Sequence, residues 1–274
     1  MPAFLQTGSG LVFGTDESEV IQTDGPSVVY AGGGDDGVRM GYQQDVAFLG
    51  GGNDTVYTED GSDLVFGEAG NDFIYTGAGN DWADGGLGND FLWGSDGADQ
   101  LFGNEGDDLI NGENGIDALY GSLGNDTVLG GAGSDVIFGG EGDDLALGGA
   151  DGDWISGGSG HNQVYGEGGD DVIYGNYSGD PETSNEIFYT GSDGKDWIGA
   201  FVAETDQLMI AADINGTGID AAADFDAARV SDHGTVGEED AGALVDLGGD
   251  NSILLVGVAA SDVIANSADY FTVA

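Results

Sequence analysis

From Phe4 to Tyr174 the chain repeats every nine residues, nineteen times in unbroken register. The repeat is plain in Leu49–Tyr57, which reads L-G-G-G-N-D-T-V-Y, and in Gly85–Trp93, which reads G-G-L-G-N-D-F-L-W. So short a period is the signature of a solenoid. The eighth position of every unit, from Leu11 to Ile173 in steps of nine, is aliphatic. The last three residues of each unit therefore predict a short strand, with position eight facing one way and positions seven and nine the other. The first six predict a glycine-rich turn, because glycine reaches positive φ at little cost. Two units complete an 18-residue coil, and the expected fold is all-β, with two parallel sheets enclosing a thin core of position-eight side chains.

The sixth position carries the chemistry. It holds Ser9, Ser18 and Ser27, then Asp36, Asp45, Asp54, Asp63, Asp72, Asp81, Asp90, Asp99, Asp108, Asp117, Asp126, Asp135, Asp144, Asp153, Asn162 and Asp171. In an 18-residue coil alternate units stack about 4.8 Å apart, so these residues fall into two columns. Carboxylates that close repel, and 52 acids against 3 basic residues leave a formal charge of -49 with nothing to offset them. Hard cations taking six to eight oxygens would supply the missing charge, from the carboxylates and from turn carbonyls. Calcium suits such sites better than magnesium, which holds on to its waters. The same charge makes nucleic acid and anionic membrane poor partners.

These units resemble the GGxGxDxUx nonapeptide of the RTX, or haemolysin-type, calcium-binding proteins, over about 60% of the chain. The resemblance implies a right-handed parallel β-roll with calcium held between successive same-side turns by the position-six aspartates and turn carbonyls. It implicates Asp36 to Asp171 and implies roughly ten to thirteen Ca²⁺ ions. Gln43 and Asp151 replace the position-four glycine in the turns of Asp45 and Asp153, which weakens those two sites. Asn162 keeps an oxygen but loses a charge, and is expected to bind more weakly. The three serines mark residues 4–30 as metal-free capping coils, ahead of calcium-binding repeats over 31–174. After a break at Gly175–Asn185 the pattern returns at Asn185–Tyr189 and at Gly191–Ile198, where G-S-D-G-K-D-W-I places Asp196 at position six. Residues 175–198 are thus irregular terminal coils, closing a roll that spans 1–198.

From Gly199 the composition shifts, and 199–274 reads as a small β-rich cap. Strands are expected at Gln207–Ile210, Ala243–Leu247 and Ser252–Val256, and a short helix at Ala221–Ala228. The run L-G-G-D-N-S-I-L-L-V-G-V is similar to the C-terminal region of serralysin-type proteins, and the ending D-Y-F-T-V-A to the uncleaved signals of type I secretion substrates. That ending would account for an N-terminus without a signal-peptide pattern and implies a secreted, extracellular protein. Asp213, Asn215, Thr217, Gly218 and Asp224 have the spacing of an EF-hand loop but lack its final Glu, so an ordinary Asx turn competes with calcium there.

Aromatic residues recur at the outward strand positions: Tyr30, Phe48, Phe66, Phe102, Tyr120, Phe138 and Tyr174 on one face, Tyr57, Tyr75, Trp93 and Tyr165 on the other. Such ladders either brace short strands by stacking or form a contact surface for polysaccharide or a second copy of the chain. Catalysis has little to rest on. With His161 and His233 as the only histidines there is no H-E-x-x-H, and no G-x-S-x-G occurs. The expectation is a non-enzymatic calcium-binding protein that folds on meeting extracellular Ca²⁺ and acts in adhesion, matrix or surface association. The alternative is a glycan-binding or accessory module of a polysaccharide-modifying system. No stretch is long and apolar enough for a membrane span.

Overall fold

In the computed structural model the described residues are 3–175, 183–189, 194–199, 206–210, 230–233, 242–248, 251–256, 263 and 271–273. The chain forms two compact units, Met1–Val136 and Ile137–Ala274. In the first, successive strands alternate between two parallel sheets, each pairing with the strand one full coil away. One sheet runs from Ala3–Thr7 through Phe73–Ala78 and Phe91–Gly97 to Thr127–Ala132, and the other from Gly10–Phe13 through Leu64–Ala69 and Trp82–Leu87 to Ala118–Leu123. Leu92 faces Ile74 on one side and Ile110 on the other, a step of 18 residues in each direction. The position-eight side chains between the sheets, among them Val65, Ile74, Leu92, Leu101, Ile110 and Leu119, are fully buried. The expected parallel β-solenoid is present.

Two features depart from the expectation. Gly37–Arg39, Thr55–Tyr57 and Val172–Tyr174 have the expected three residues, but most repeat strands are longer: Leu64–Ala69 and Gln100–Glu105 extend through positions seven to nine and on through one to three of the next unit. Their second halves pair across coils as the first halves do, for example Asn104 with Ser122 and Glu105 with Leu123. Glycine-rich backbone can still be extended, and the tight turn is confined to positions four to six. A left-handed residue at position two bends each strand at its middle, and Glu68, Ser95, Asn104, Glu113 and Ser122 accept it with φ between 70° and 87°. That is the region L-residues can reach at modest cost.

The unbroken nine-residue register is also corrected at its start. Val12 and Ile21 are buried, whereas Leu11 is 61% and Val20 38% exposed. Val12 pairs with Val29 and Ile21 with Val38, so these coils are 17 residues long rather than 18. The doublets Leu11-Val12 and Val20-Ile21 each satisfy the apolar pattern in either frame, and a slip of one residue exchanges the two faces of a strand. The turn selects the frame. Glu19 is buried there and accepts hydrogen bonds from the Thr15 amide, at 3.0 Å, and from the Thr15 hydroxyl.

In the second unit the parallel stacking continues through Leu145–Ala150, His161–Gly168, Ser184–Tyr189 and Gln207–Ile210 in one sheet. Trp154–Ser159, Val172–Tyr174 and Lys195–Gly199 stack in the other. Three expected strands are found: Gln207–Ile210, Gly242–Gly248 around Ala243–Leu247, and Asn251–Val256 around Ser252–Val256. Asn251–Val256 joins the parallel stack beside Lys195–Gly199 and then pairs antiparallel with Gly242–Gly248, which pairs in turn with Val230–His233. Phe271–Val273, read above as part of a secretion signal, forms a strand beside Gln207–Ile210. The helix expected at Ala221–Ala228 and the loop from Asp213 to Asp224 lie outside the described residues.

Candidate metal centre

Most coils turn back through a tight G-x-D segment that brings position six inward beside the position-one residue of the preceding strand. All the aspartates expected there, from Asp36 to Asp171 together with Asp196, are at most 5% exposed, and Asn162 is 1% exposed. They stack as two columns in the first unit. In one, the backbone N–H of Asp36 donates to Asp54 Oδ1, Asp54 to Asp72, Asp72 to Asp90, and Asp90 to Asp108, at 2.6 to 2.7 Å. In the other, Asp45 donates to Asp63, Asp63 to Asp81, Asp81 to Asp99, Asp99 to Asp117 and Asp117 to Asp135, each at 2.8 Å. One carboxylate oxygen per turn thus clips the coil to the one before it. In the second unit Asp153 donates to Asp171 at 2.9 Å and Asp171 to Asp196 at 3.0 Å.

The other oxygen has a different situation. Oδ2 of every column aspartate from Asp36 to Asp117 is buried and accepts no hydrogen bond. A buried carboxylate oxygen without a donor is costly unless something positive comes to it. The space around it is shaped for that. A Cβ on Gly103 would lie 2.2 Å from Asp108 Oδ2 and 2.9 Å from the Gly121 carbonyl oxygen of the next coil. On Gly112 it would lie 2.4 Å from Asp117 Oδ2 and 2.7 Å from the Gly130 carbonyl. At Gly67 and from Gly85 onward position one is glycine and leaves open a pocket on which a carboxylate oxygen and a carbonyl from the neighbouring coil converge, whereas the turns of Asp36, Asp45, Asp54, Asp63 and Asp81 have Ala31, Met40, Leu49, Thr58 and Thr76 there. Among the described residues no three His, Cys, Asp or Glu side chains gather in one cluster. A cation here therefore draws on few carboxylates and several carbonyls, the all-oxygen shell suited to calcium.

The structure adds members that the nine-residue count misses. Glu19 takes the column place assigned to Ser18, donating its N–H to Asp36 Oδ1 at 2.6 Å, while Ser18 Oγ accepts from Asp35 on the exposed side. Ser27 does stand in the column, donating to Asp45 Oδ1 at 2.6 Å. Asp45, despite Gln43, is placed as its neighbours are. At Asp151 the left-handed φ of 74° falls where position-four glycines such as Gly70 and Gly124 take 144° and 131°. In the second unit Asn185 and Asp206 continue the column of Asp144 and Asn162, with Asn185 N–H donating to Asp206 Oδ1 at 2.9 Å. The irregular spacing after Gly175 hides Asp206 from a strict period.

A second, exposed ladder at position five was not anticipated. Asn53 N–H donates to Asp35 Oδ1, Asn71 to Asn53, Asn89 to Asn71, Asp107 to Asn89 and Asn125 to Asp107, at 2.8 to 3.1 Å. It runs opposite to the buried ladder, so each pair of coils on this side is clipped in both senses. The signal was present in the recurring N-D and D-D pairs.

Burial raises the column carboxyls far above the ordinary range, and the neighbouring carboxylates raise several of them further against the lowering effect of the backbone N–H. Asp54, Asp63, Asp90, Asp99 and Asp108 reach about 7, and Asp36, Asp45, Asp72 and Asp126 about 6. The metal-free fold then holds protons that the unfolded chain has released. Its stability falls as pH rises from about 4 through about 7. A cation must displace these protons, so the opposite sign holds for binding: apparent calcium affinity should fall as pH drops from 8 to 5.5, with proton release on binding near pH 6.5. Calorimetry in buffers of different ionisation enthalpy measures both, and an affinity independent of pH over that range would count against carboxylate ligation.

The model of the RTX calcium-binding nonapeptide repeat, four copies long, matches residues 48–83, 75–110, 84–119, 111–146 and 147–176. No curated protein matches the chain significantly.

Proposed function

Because residues 48–176 are an array of RTX calcium-binding nonapeptide repeats, we propose that this calcium-binding protein takes up several ions along its two aspartate columns, in the pockets beside Oδ2, and folds as it does so. The bound ion supplies positive charge to buried carboxylates. The chain's own residues supply the oxygens: Asp36 to Asp171 and Asp196, the position-one carbonyls, and glycines that keep the pocket open. The observation that carries this reading is the row of buried Oδ2 atoms without a donor from Asp36 to Asp117. Roughly ten to thirteen ions are expected along the columns, with affinities in the range of about 10⁻⁴ to 10⁻³ M found in extracellular modules. We place the protein outside the cell, where such sites fill, as a non-catalytic component of adhesion, matrix or surface association. Among the described residues no helix is long and apolar enough to cross a membrane.

The aromatic faces support a structural use. Tyr30, Phe48 and Phe66 stack with centroids 4.8 Å apart and planes within 6° of parallel, and Phe102 on Tyr120 at 4.7 Å. Where Asp84 interrupts the ladder, Trp82 leans in from position seven and contacts Phe66 at 4.9 Å and Phe102 at 5.4 Å. Trp154 does the same beside Ser156, between Phe138 and Tyr174. Ring faces spent on one another are not free to receive a sugar ring, which on this face favours bracing of the coils over the glycan-binding alternative, whereas Tyr57 and Tyr75 on the other face are tilted by 44°.

The test is a calcium count. Asp99→Ala should bind one or two fewer ions per chain than the parent by equilibrium dialysis, while Glu105→Ala, which removes an equal charge from the exposed surface, should bind as many. Equal loss in both would mean that calcium responds only to net charge.

A further inference from the structure

We propose that Asn162 and Asn185 form an amide lock that closes their column without metal, so that on this side calcium binding stops at the turn of Asp144 while the opposite column continues through Asp153, Asp171 and Asp196. The proposal deepens the calcium reading and rests on it. Asn162 Oδ1 accepts the Asp144 backbone N–H at 2.9 Å, the bond that a column aspartate makes with one oxygen. Its remaining atom is therefore Nδ2, which donates to Asn185 Oδ1 at 3.1 Å. Asn185 repeats the arrangement, its Nδ2 donating to Asp206 Oδ1 at 2.9 Å. Both asparagines are 1% exposed.

The orientation of the two amides is set by their neighbours. Turning Asn162 over would set its NH₂ against the Asp144 N–H, donor against donor, and turning Asn185 would set its oxygen against the Asp206 carboxylate. The consequence appears in the pockets. A Cβ on Gly148 or Gly166 would meet Oδ2 of Asp153 or Asp171, at 2.3 and 2.2 Å, as in the first unit. On Gly157 it would meet Asn162 Nδ2 and Asn185 Oδ1, both at 3.0 Å, and on Gly175 it would meet Asn185 Nδ2 at 3.0 Å and Asp206 Oδ2 at 3.2 Å. In each pocket the turn's own side chain presents an amide N–H, with positive hydrogen and no lone pair where a column aspartate has Oδ2, and Asn185 Oδ1 already accepts the Asn162 N–H. In place of an ion neutralising a carboxylate, each locked turn has a neutral side chain hydrogen-bonded to the next coil. Asn162 is thus not the weak ligand that its sequence position implies.

Ion counts by native mass spectrometry at saturating calcium, with circular dichroism as a check on folding, test the lock. Asn162→Ala should bind the same number of ions as the parent, and the double variant Asn162→Asp, Asn185→Asp should gain at least one. A loss of an ion in Asn162→Ala would show that Asn162 ligates calcium and would overturn the proposal, as would an unchanged count in a folded double variant. A parent that binds no calcium overturns the reading of the whole array, a result distinct from either.

Discussion

Removing calcium should abolish the fold. In excess chelator at pH 7.5 the far-UV circular dichroism of the protein is expected to lose its strand signal, and millimolar calcium to restore it. The magnitudes decide this. Moving an ionised carboxylate into a protein interior costs several kcal/mol even after relaxation, and the column Oδ2 atoms from Asp36 to Asp117 have no donor to offset that cost. The backbone N–H bonds to Oδ1 return about 1.5 to 3 kcal/mol each at best. A domain's whole stability is about 5 to 15 kcal/mol, so a few uncompensated carboxylates suffice to unfold the chain. Ions that bind only the folded form reverse the balance by mass action, and many ions reverse it steeply. Strand content unchanged between chelator and calcium would refute the coupling. Because protonation relieves the same strain, the chelated protein should regain part of its structure near pH 5.

The second large effect is expected from a single methyl group. Gly97→Ala should lower the thermal midpoint in saturating calcium by about 10 °C, corresponding to roughly 3 kcal/mol for a chain of this size. Gly97 has φ of 150°, and a Cβ there would lie 1.4 Å from the Gly79 carbonyl oxygen of the preceding coil. Neither problem can be relieved by a rotamer change. The backbone conformation is nearly reserved for glycine, and the clash is with backbone whose spacing is held by ladder bonds on both sides. Gly51→Ala is the control, since its Cβ would be 4.0 Å from the nearest atom, the Ala69 carbonyl oxygen. It should shift the midpoint by no more than a degree or two. Equal effects from the two would mean that loss of chain flexibility, rather than coil spacing, governs stability.

Much of the site was legible because the repeat is short and the structural period is an integer multiple of it. Once Leu92, Ile110 and Val128 are placed on one line, Asp90, Asp108 and Asp126 have no freedom but to stack. The N-terminal coils were misread for the converse reason. Leu11-Val12 and Val20-Ile21 fit the pattern in two frames, and Glu19, with one more methylene than Asp, settled the frame through Thr15, a contact between residues whose partnership no period announces. Asp206 was missed because the 23- and 21-residue steps from Asn162 to Asn185 to Asp206 leave the period altogether.

The sequence alone determined the solenoid, the two columns of carboxylates and the excess of negative charge that calls for calcium, since each follows from residue type and a fixed period. Only the tertiary structure decided which oxygen of each carboxylate is spent on the neighbouring coil and which is left for a cation. It also decided that Tyr30, Phe48 and Phe66 stack face to face and that Asn162 faces its pocket with nitrogen. The reason is common to all three. Composition and period say which groups come together, but hydrogen-bond direction is set by the partner across the coil, and that partner is defined only once the chain has closed on itself.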